Sequence, residues 1–325
     1  MFFSEEIKAD GLPIDVPKVN ILTWWGYLDK PWVPAYIRKK CNVDISFDEY
    51  YTNDEFQNRW KNQKYDIIIF EDTFYEVMKG EIKDKGHDMS SVVNDYNPII
   101  KKQFLSRHYE KNVLYFFQST TGVLWNPNLI HPENFANVDE IFKSAANHGI
   151  VILDDPQTIL TVFGNKNSQD PYRNFYNLVK DKKIYIGNDF GKILESQDFS
   201  FSYVWSGDAI FYVNNSHKAY QFLIRPDISY ISSDLITQLA NNSESTCVMK
   251  TLSSKEFLTK LQHDTYYFSP YGSIGTVKSK QYRDIYDQYL KNLSRLKWIN
   301  AVSEENYEKE YNEWKLIKLK IKDNE

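Results

Sequence analysis

Short apolar runs recur along the chain, separated by longer amphipathic stretches. Residues 19–24, 65–70, 113–117, 150–153, 183–186 and 201–205 are rich in β-branched and aromatic side chains and too short for typical helices, so they predict buried strands. The stretches between them carry helix punctuation. Residues 137–148 end at Gly149, a suitable left-handed stop, while Asp155-Pro156 and Asp170-Pro171 each set a capping side chain before a first-turn proline. Ser253-Ser254-Lys255-Glu256 reads as a capping box, and residues 279–298 have the spacing of an amphipathic helix. The pattern predicts an α/β fold. With no internal repeat and no long linker, any two domains must be joined by short strand crossovers.

Composition narrows the function. A chain of 325 residues has room for two domains or one large one with a sizeable core. The net charge of -5 argues against nucleic acid as a partner, since basic residues cluster only in Lys315-Leu316-Ile317-Lys318-Leu319-Lys320-Ile321-Lys322. That alternating tail reads as a half-exposed terminal element, with contact to an anionic surface as the other reading. Cys41 and Cys247 lack CxxC or histidine-linked spacing, which disfavours a zinc or thioredoxin-type centre and leaves a single disulfide open. No run has the length of a membrane span, and Met1-Phe2-Phe3-Ser4-Glu5-Glu6 lacks the basic start and apolar core of a secretory signal. The chain is therefore either cytoplasmic or a processed form.

The predicted strands end in distinctive chemistry. Ligands of open α/β sheets bind beyond the carboxyl ends of strands. There the chain has Thr23-Trp24-Trp25-Gly26-Tyr27, then Glu71-Asp72-Thr73, then Asp154-Asp155, and finally Val204-Trp205-Ser206-Gly207-Asp208. Aromatic faces beside carboxylates form a receptor for an organic cation, which the ring quadrupole and the acid both attract. Each residue also has a plainer reading: Asp155 as a helix cap, Trp24 and Tyr27 as core, Glu71 or Asp72 as a solvated loop end. The histidines show no metal or triad spacing, neither cysteine has a nearby histidine, and Gly187-Asn188-Asp189-Phe190-Gly191 is no phosphate loop. The expectation is a protein without catalytic residues, metal or cofactor.

The order of these segments resembles the substrate-binding proteins of bacterial polyamine ABC importers, the spermidine/putrescine-binding family with the type II periplasmic-binding fold. The resemblance covers about residues 19–271. It rests on Asn20-Ile21-Leu22-Thr23-Trp24-Trp25-Gly26-Tyr27, Tyr65-Asp66-Ile67-Ile68-Ile69, Ser119-Thr120-Thr121-Gly122-Val123, Leu153-Asp154-Asp155-Pro156 and the pentapeptide at 204–208, in the family's order. It implies two α/β lobes: 1–117 with 233–275, and 118–232 with 276–325, hinged near Gln118-Ser119 and Ser232-Ser233.

By position, the resemblance implies that Trp24 and Tyr27 form one aromatic wall and that Trp205 stacks from the facing lobe. Asp155 and Asp208 would be second-lobe carboxylates, Asp234 the acid after the return crossover, and Tyr267 a late binding tyrosine. Glu71 and Thr73 complete the expected ligand-binding set. Asp208 is of the putrescine-preferring kind. Glu71, Thr158 and Ser232 depart from the pattern and leave the amine's identity open. The implied setting is periplasmic, as a monomer delivering a small amine to an inner-membrane ABC permease, or cytoplasmic if Met1 is the native start. Other readings on the same fold are a ferric-ion carrier using Tyr266-Tyr267 or Tyr50-Tyr51, a carrier of another small solute, a cytoplasmic buffer or sensor, and an enzyme.

Overall fold

The structure is a computed structural model that describes residues 16–144, 149–163, 170–188, 199–217, 219–272, 279–299 and 301–322. In chain order its elements begin β1 (Lys18–Trp24), α1 (Trp32–Cys41), β2 (Asp44–Tyr50), α2 (Asn53–Asn62), β3 (Ile67–Glu71), α3 (Tyr75–Ile82), α4 (Pro98–Ser106) and β4 (Val113–Trp125). There follow α5 (Val138–Ser144), β5 (Gly149–Ile152), α6 (Pro156–Phe163), α7 (Pro171–Val179), β6 (Ile184–Ile186), β7 (Phe199–Trp205), α8 (Ser206–Asn215), β8 (Gln221–Leu223) and β9 (Tyr230–Gln238). Helices α9 (Ser243–Leu252), α10 (Lys255–Thr265) and α11 (Lys280–Asn292), the short β10 (Lys297–Trp298) and α12 (Glu304–Lys322) complete it.

The strands run in the order β2-β1-β3-β9-β4-β7-β5-β6, with β10 beside β9 and β8 beside β4. Two twisted halves share β4. Its first part pairs antiparallel with β9, which joins it to the parallel trio β2-β1-β3. Its last part, from Thr121, pairs antiparallel with β7, which leads to the parallel β5 and β6. Gly122 lies where β8 comes close: a Cβ there would stand 2.5 Å from the Phe222 ring, so a side chain would separate the strands.

Strand β4 is buried throughout, yet Gln118-Ser119-Thr120-Thr121 interrupts its apolar run. These side chains fall where β4 passes from one half to the other, and each finds a partner. Gln118 donates to Ser233 Oγ at 3.2 Å and accepts from the Tyr289 hydroxyl at 3.1 Å. Thr120 donates to the Tyr230 carbonyl at 3.0 Å, and Thr121 accepts from the Tyr203 hydroxyl at 2.6 Å. Buried polar groups hydrogen-bonded in this way fix register without desolvation loss. Beyond them the chain crosses the junction again: β10 pairs with β9 at Tyr230 and Ile231, and the Val302 N–H donates to the Thr73 carbonyl at 2.9 Å.

The structure corrects some expectations and bears out others. The helix expected over 279–298 stops at Asn292, and Trp298 belongs to β10, where it stacks on Tyr115. The cap of α10 is Ser254, which accepts from the Phe257 N–H at 3.2 Å, while Ser253 donates to the Met249 carbonyl. The basic tail is the end of α12: Trp314, Ile317 and Ile321 are buried at helical spacing, leaving Leu316 and Leu319 exposed. Asp170 caps α7, accepting from the Arg173 N–H at 2.9 Å. Residues 145–148, the end of the helix expected before Gly149, lie outside the described residues, as do Met1-Phe2-Phe3-Ser4-Glu5-Glu6 and Asp189-Phe190-Gly191.

Cys41 and Cys247 form a disulfide between α1 and α9, with Cα atoms 5.7 Å apart and a sequence separation of 206. A crosslink over so long a loop restricts the unfolded chain strongly. Reduction, or Cys41→Ser with Cys247→Ser, is expected to lower the unfolding free energy by about 2–5 kcal/mol in denaturant titrations. An unchanged midpoint contradicts that role.

Candidate ligand-binding site

Carboxylates gather around the junction between the two halves. Glu71 ends β3 and lies directly opposite Asp234 of β9, so the strand pairing sets two acids side by side on one face. Asp72 follows in a short helical turn. From the other half, Asp155 precedes α6, and Asp208 sits in the first turn of α8, where the helix dipole favours negative charge. The charges of Glu71 and Asp155 act on each other, and Tyr267 responds to Asp208, Asp234 and Glu71 together.

The acids are held mainly by neutral donors. Ser232 Oγ donates to Glu71 Oε1 at 2.8 Å, and Asn53 Nδ2 donates to Glu71 Oε2 at 2.7 Å. Asp155 accepts from the Gln157 N–H at 3.1 Å and the Thr158 hydroxyl at 2.5 Å. The Tyr27 hydroxyl donates to Asp234 Oδ2 at 2.5 Å. Arg107 lies 3.7 Å from Asp72 and stacks over Trp298. Among the described residues, no cation figures among the influences on Asp155, Asp208, Asp234 or Glu71.

Uncompensated burial shows in the acidities. Desolvation pushes Asp208 up to about 7. It pushes Asp155 to about 7 with the Glu71 charge adding to it, and Asp234 to about 8 against the opposing Tyr27 hydrogen bond. Burial takes Asp72 to about 6, with Arg107 opposing. Glu71 is raised by burial against its Asn53 and Ser232 donors. Asp155, Asp208 and Asp234 each keep partial solvent contact, so the protein around them, rather than complete enclosure, sets the direction.

Aromatic rings line the same place. Tyr27 is reached through a turn at Gly26, whose φ of 79° suits glycine. Its ring meets Tyr267 edge-on at 5.7 Å and Phe117 at 5.5 Å. The Tyr267 ring in turn lies against Gly207 of α8, where a Cβ would stand 2.7 Å from it, so the two halves approach closely here. Trp24 packs on Tyr50 at 4.3 Å. Its indole influences Asp234, but no hydrogen bond closes, since the buried Nε1 has no partner. Thr73 is buried with its hydroxyl unpartnered.

The structure thus brings Tyr27, Glu71, Asp155, Asp208, Asp234 and Tyr267 into one neighbourhood, with Trp24 beside Asp234 and Thr73 two residues from Glu71. Trp205 is partly buried at the end of β7, opposite Thr121, and makes no ring contact with the other site aromatics among the described residues. Thr158 and Ser232, which break the polyamine pattern, are the hydroxyls that serve Asp155 and Glu71. Sequence reasoning missed Asn53 and Tyr307. Tyr307, on α12, packs on Phe74 at 5.2 Å, and its acidity is weakened by burial and by Asp155, Asp54 and Glu71. No local motif marks either residue. An open cavity of about 700 Å³ beside the disulfide, lined by Lys40, His87 and Lys250 among others, contains none of these acids.

Comparison with known proteins bears on the fold. No protein-family model and no curated protein sequence matches the chain. Among solved structures it is similar to a spermidine/putrescine ABC transporter substrate-binding protein of Streptococcus pneumoniae (17% identity, TM-score 0.70, covering 94% of this chain and 99% of that one). A Listeria monocytogenes protein designated a spermidine/putrescine ABC transporter gives 16% identity and a TM-score of 0.75, covering 93% and 98%. Iron-bound HitA from Pseudomonas aeruginosa gives 9% and 0.65, covering 95% and 99%. What this chain shares with them is the two-lobed type II periplasmic-binding fold of solute-binding transport proteins. No described helix is long and apolar enough to cross a membrane.

The acidities make a testable link to pH. Each raised carboxyl binds its proton more tightly in the fold than in the unfolded chain, where aspartate titrates near 4. Their ionisation therefore opposes folding, and stability falls as pH rises from about 4, where the unfolded carboxyls titrate, to about 8. The melting temperature of the ligand-free protein is expected to decline across that window, and Asp208→Asn is expected to flatten the decline. A melting temperature that rises across it contradicts the assignment.

Proposed function

We propose that the protein is the solute-binding component of an ABC importer and takes a small organic polycation, a putrescine-like diamine, between its two lobes. The observation that carries this reading is the cluster of Glu71, Asp155, Asp208 and Asp234, desolvated, drawn from both halves and without an ion-pair partner among the described residues. Carboxylates that repel one another in a low dielectric stay charged only beside a cation; otherwise they take up protons. A diamine supplies the cation at both ends. Its methylenes would lie against Trp24, Tyr27, Tyr267 and Trp205, where burying each CH₂ contributes roughly 0.8 kcal/mol.

In this reading the lobes are residues 1–117 with 233–275 and residues 118–232 with 276–325, closing about Gln118-Ser119 and Ser232-Ser233. The paired tyrosines invoked for ferric ion do not favour that cargo. Tyr50 is buried and donates to the Ile69 carbonyl at 2.8 Å, while Tyr51 is exposed and stacks on Trp25. Tyr267 faces Tyr27, and Tyr266 faces Phe211 and Tyr282. The disulfide suits an oxidising compartment, which supports work outside the cytoplasmic membrane beside a permease.

A thermal-shift panel of putrescine, cadaverine, spermidine and neutral controls tests the reading. About a hundredfold excess over the dissociation constant adds roughly 2.7 kcal/mol to stability, so the amines should raise the melting temperature and the neutral controls should not. Asp208→Asn is expected to weaken diamine binding by about 2–5 kcal/mol while leaving the fold intact. Stabilisation by neutral solutes alone, or calorimetric affinity unchanged in Asp208→Asn, overturns it.

A further inference from the structure

Asn53 stands at the first position of α2, a place usually explained by capping. Here the cap is Thr52, which accepts from the Glu55 N–H at 3.2 Å, so the Asn53 side chain is not needed to start the helix. Instead its Nδ2 donates to Glu71 Oε2 at 2.7 Å. An ionised carboxylate can only accept, so with Glu71 charged beside a bound cation the carboxamide turns its NH₂ towards Glu71 and its carbonyl away. That carbonyl, Oδ1, is buried and has no hydrogen-bond partner. Buried carbonyls without a donor are uncommon, and this one, held beside a carboxylate, is open to a donor from outside the chain.

The surroundings specify the donor. Glu71 is 5% exposed, and each of its oxygens already receives one neutral hydrogen bond, from Asn53 and from Ser232. Asp155 and Tyr307 lie within electrostatic reach. The group that fits must be positively charged for the acids and must offer more than one N–H, one for Glu71 and one for Asn53. Primary and secondary ammonium groups meet both conditions. A quaternary ammonium carries the charge without the hydrogens. An aspartate at position 53 would set a further negative charge against Glu71, whereas asparagine serves as donor to the acid and acceptor for the ligand.

We propose that Asn53 contacts the ligand, its carbonyl and the Glu71 carboxylate accepting N–H donors from one ammonium group, so that the site selects N–H-bearing ammonium over quaternary ammonium. The proposal rests on the cleft being an amine site.

The test compares putrescine with its analogue trimethylated on both nitrogens, by calorimetry on the wild type and Asn53→Ala, with melting curves to verify the fold. Wild type should bind putrescine about a hundredfold more tightly than the analogue, as expected where a buried polar group is left unpaired by the wrong ligand. In Asn53→Ala, putrescine affinity should fall about tenfold or more, while analogue affinity changes less than about threefold. If that variant lacks a cooperative melt, Asn53→Ser replaces it. Unchanged putrescine affinity, or an equal loss for both ligands, overturns the contact and leaves the amine site standing. Failure of the wild type to bind either cation removes the amine site and the proposal together.

Discussion

Negative charge held away from water governs this structure. Glu71 and Asp234 are set opposite each other by the pairing of β3 with β9, and Asp155 and Asp208 approach from the other half at the starts of α6 and α8. Among the described residues, Arg107 pairs with Asp72 and with none of these four. The hydroxyls and amides of Ser232, Asn53, Thr158 and Tyr27 orient these carboxylates without neutralising them. Desolvation, with repulsion from neighbouring acids added at Glu71, Asp155 and Asp234, raises their proton affinities. A bound cation would relieve the same repulsion, and that choice between proton and cation is the physical content of the functional reading.

The rest of the fold serves to bring those acids together. β4 and β9 run through the junction side by side, and their buried polar residues, from Gln118 to Thr121 and from Ser232 to Ser233, keep them in register where the two halves meet. The C-terminal segment adds a further crossing, with Tyr307 on Phe74 at one end of α12. At its other end, Trp314 and Lys318 bond to Asp154. Asp154, adjacent to the cluster, thus has a cation of its own, whereas Asp155 has none among the described residues. The two neighbouring acids have different partners: Asp154 bonds to α12, and Asp155 accepts from Gln157 and Thr158 at the start of α6.

Much of this was legible in the residues, where burial and periodicity coincide. Strands β1, β3, β5, β6 and β7 are short apolar runs and were read as such, with the acids and aromatics at their ends. β2 was missed because Asp44–Tyr50 is a sheet edge of mixed polarity with mostly partial burial. β9 was read as a crossover rather than a strand, since Ser232, Ser233 and Asp234 break its apolar pattern where it meets Glu71 and Gln118. The tail from Lys315 is the half-exposed terminal element its sequence suggests, a helix in which Trp314, Ile317 and Ile321 keep the helical period despite the local alternation of lysine and apolar residues. Asn53 and Tyr307 carry no local signal. Their importance comes from which side chains tertiary packing sets beside them, and that cannot be inferred from either residue's neighbours in sequence.

Calorimetric titration of putrescine at about pH 7, in buffers of contrasting ionisation enthalpy, tests the central claim most directly. If the cation replaces protons on the acid cluster, binding releases protons, and the apparent enthalpy changes with the buffer in proportion to their number. Saturable binding with proton release is the predicted result. Saturable binding with the same enthalpy in every buffer, or no binding at all, would contradict the account.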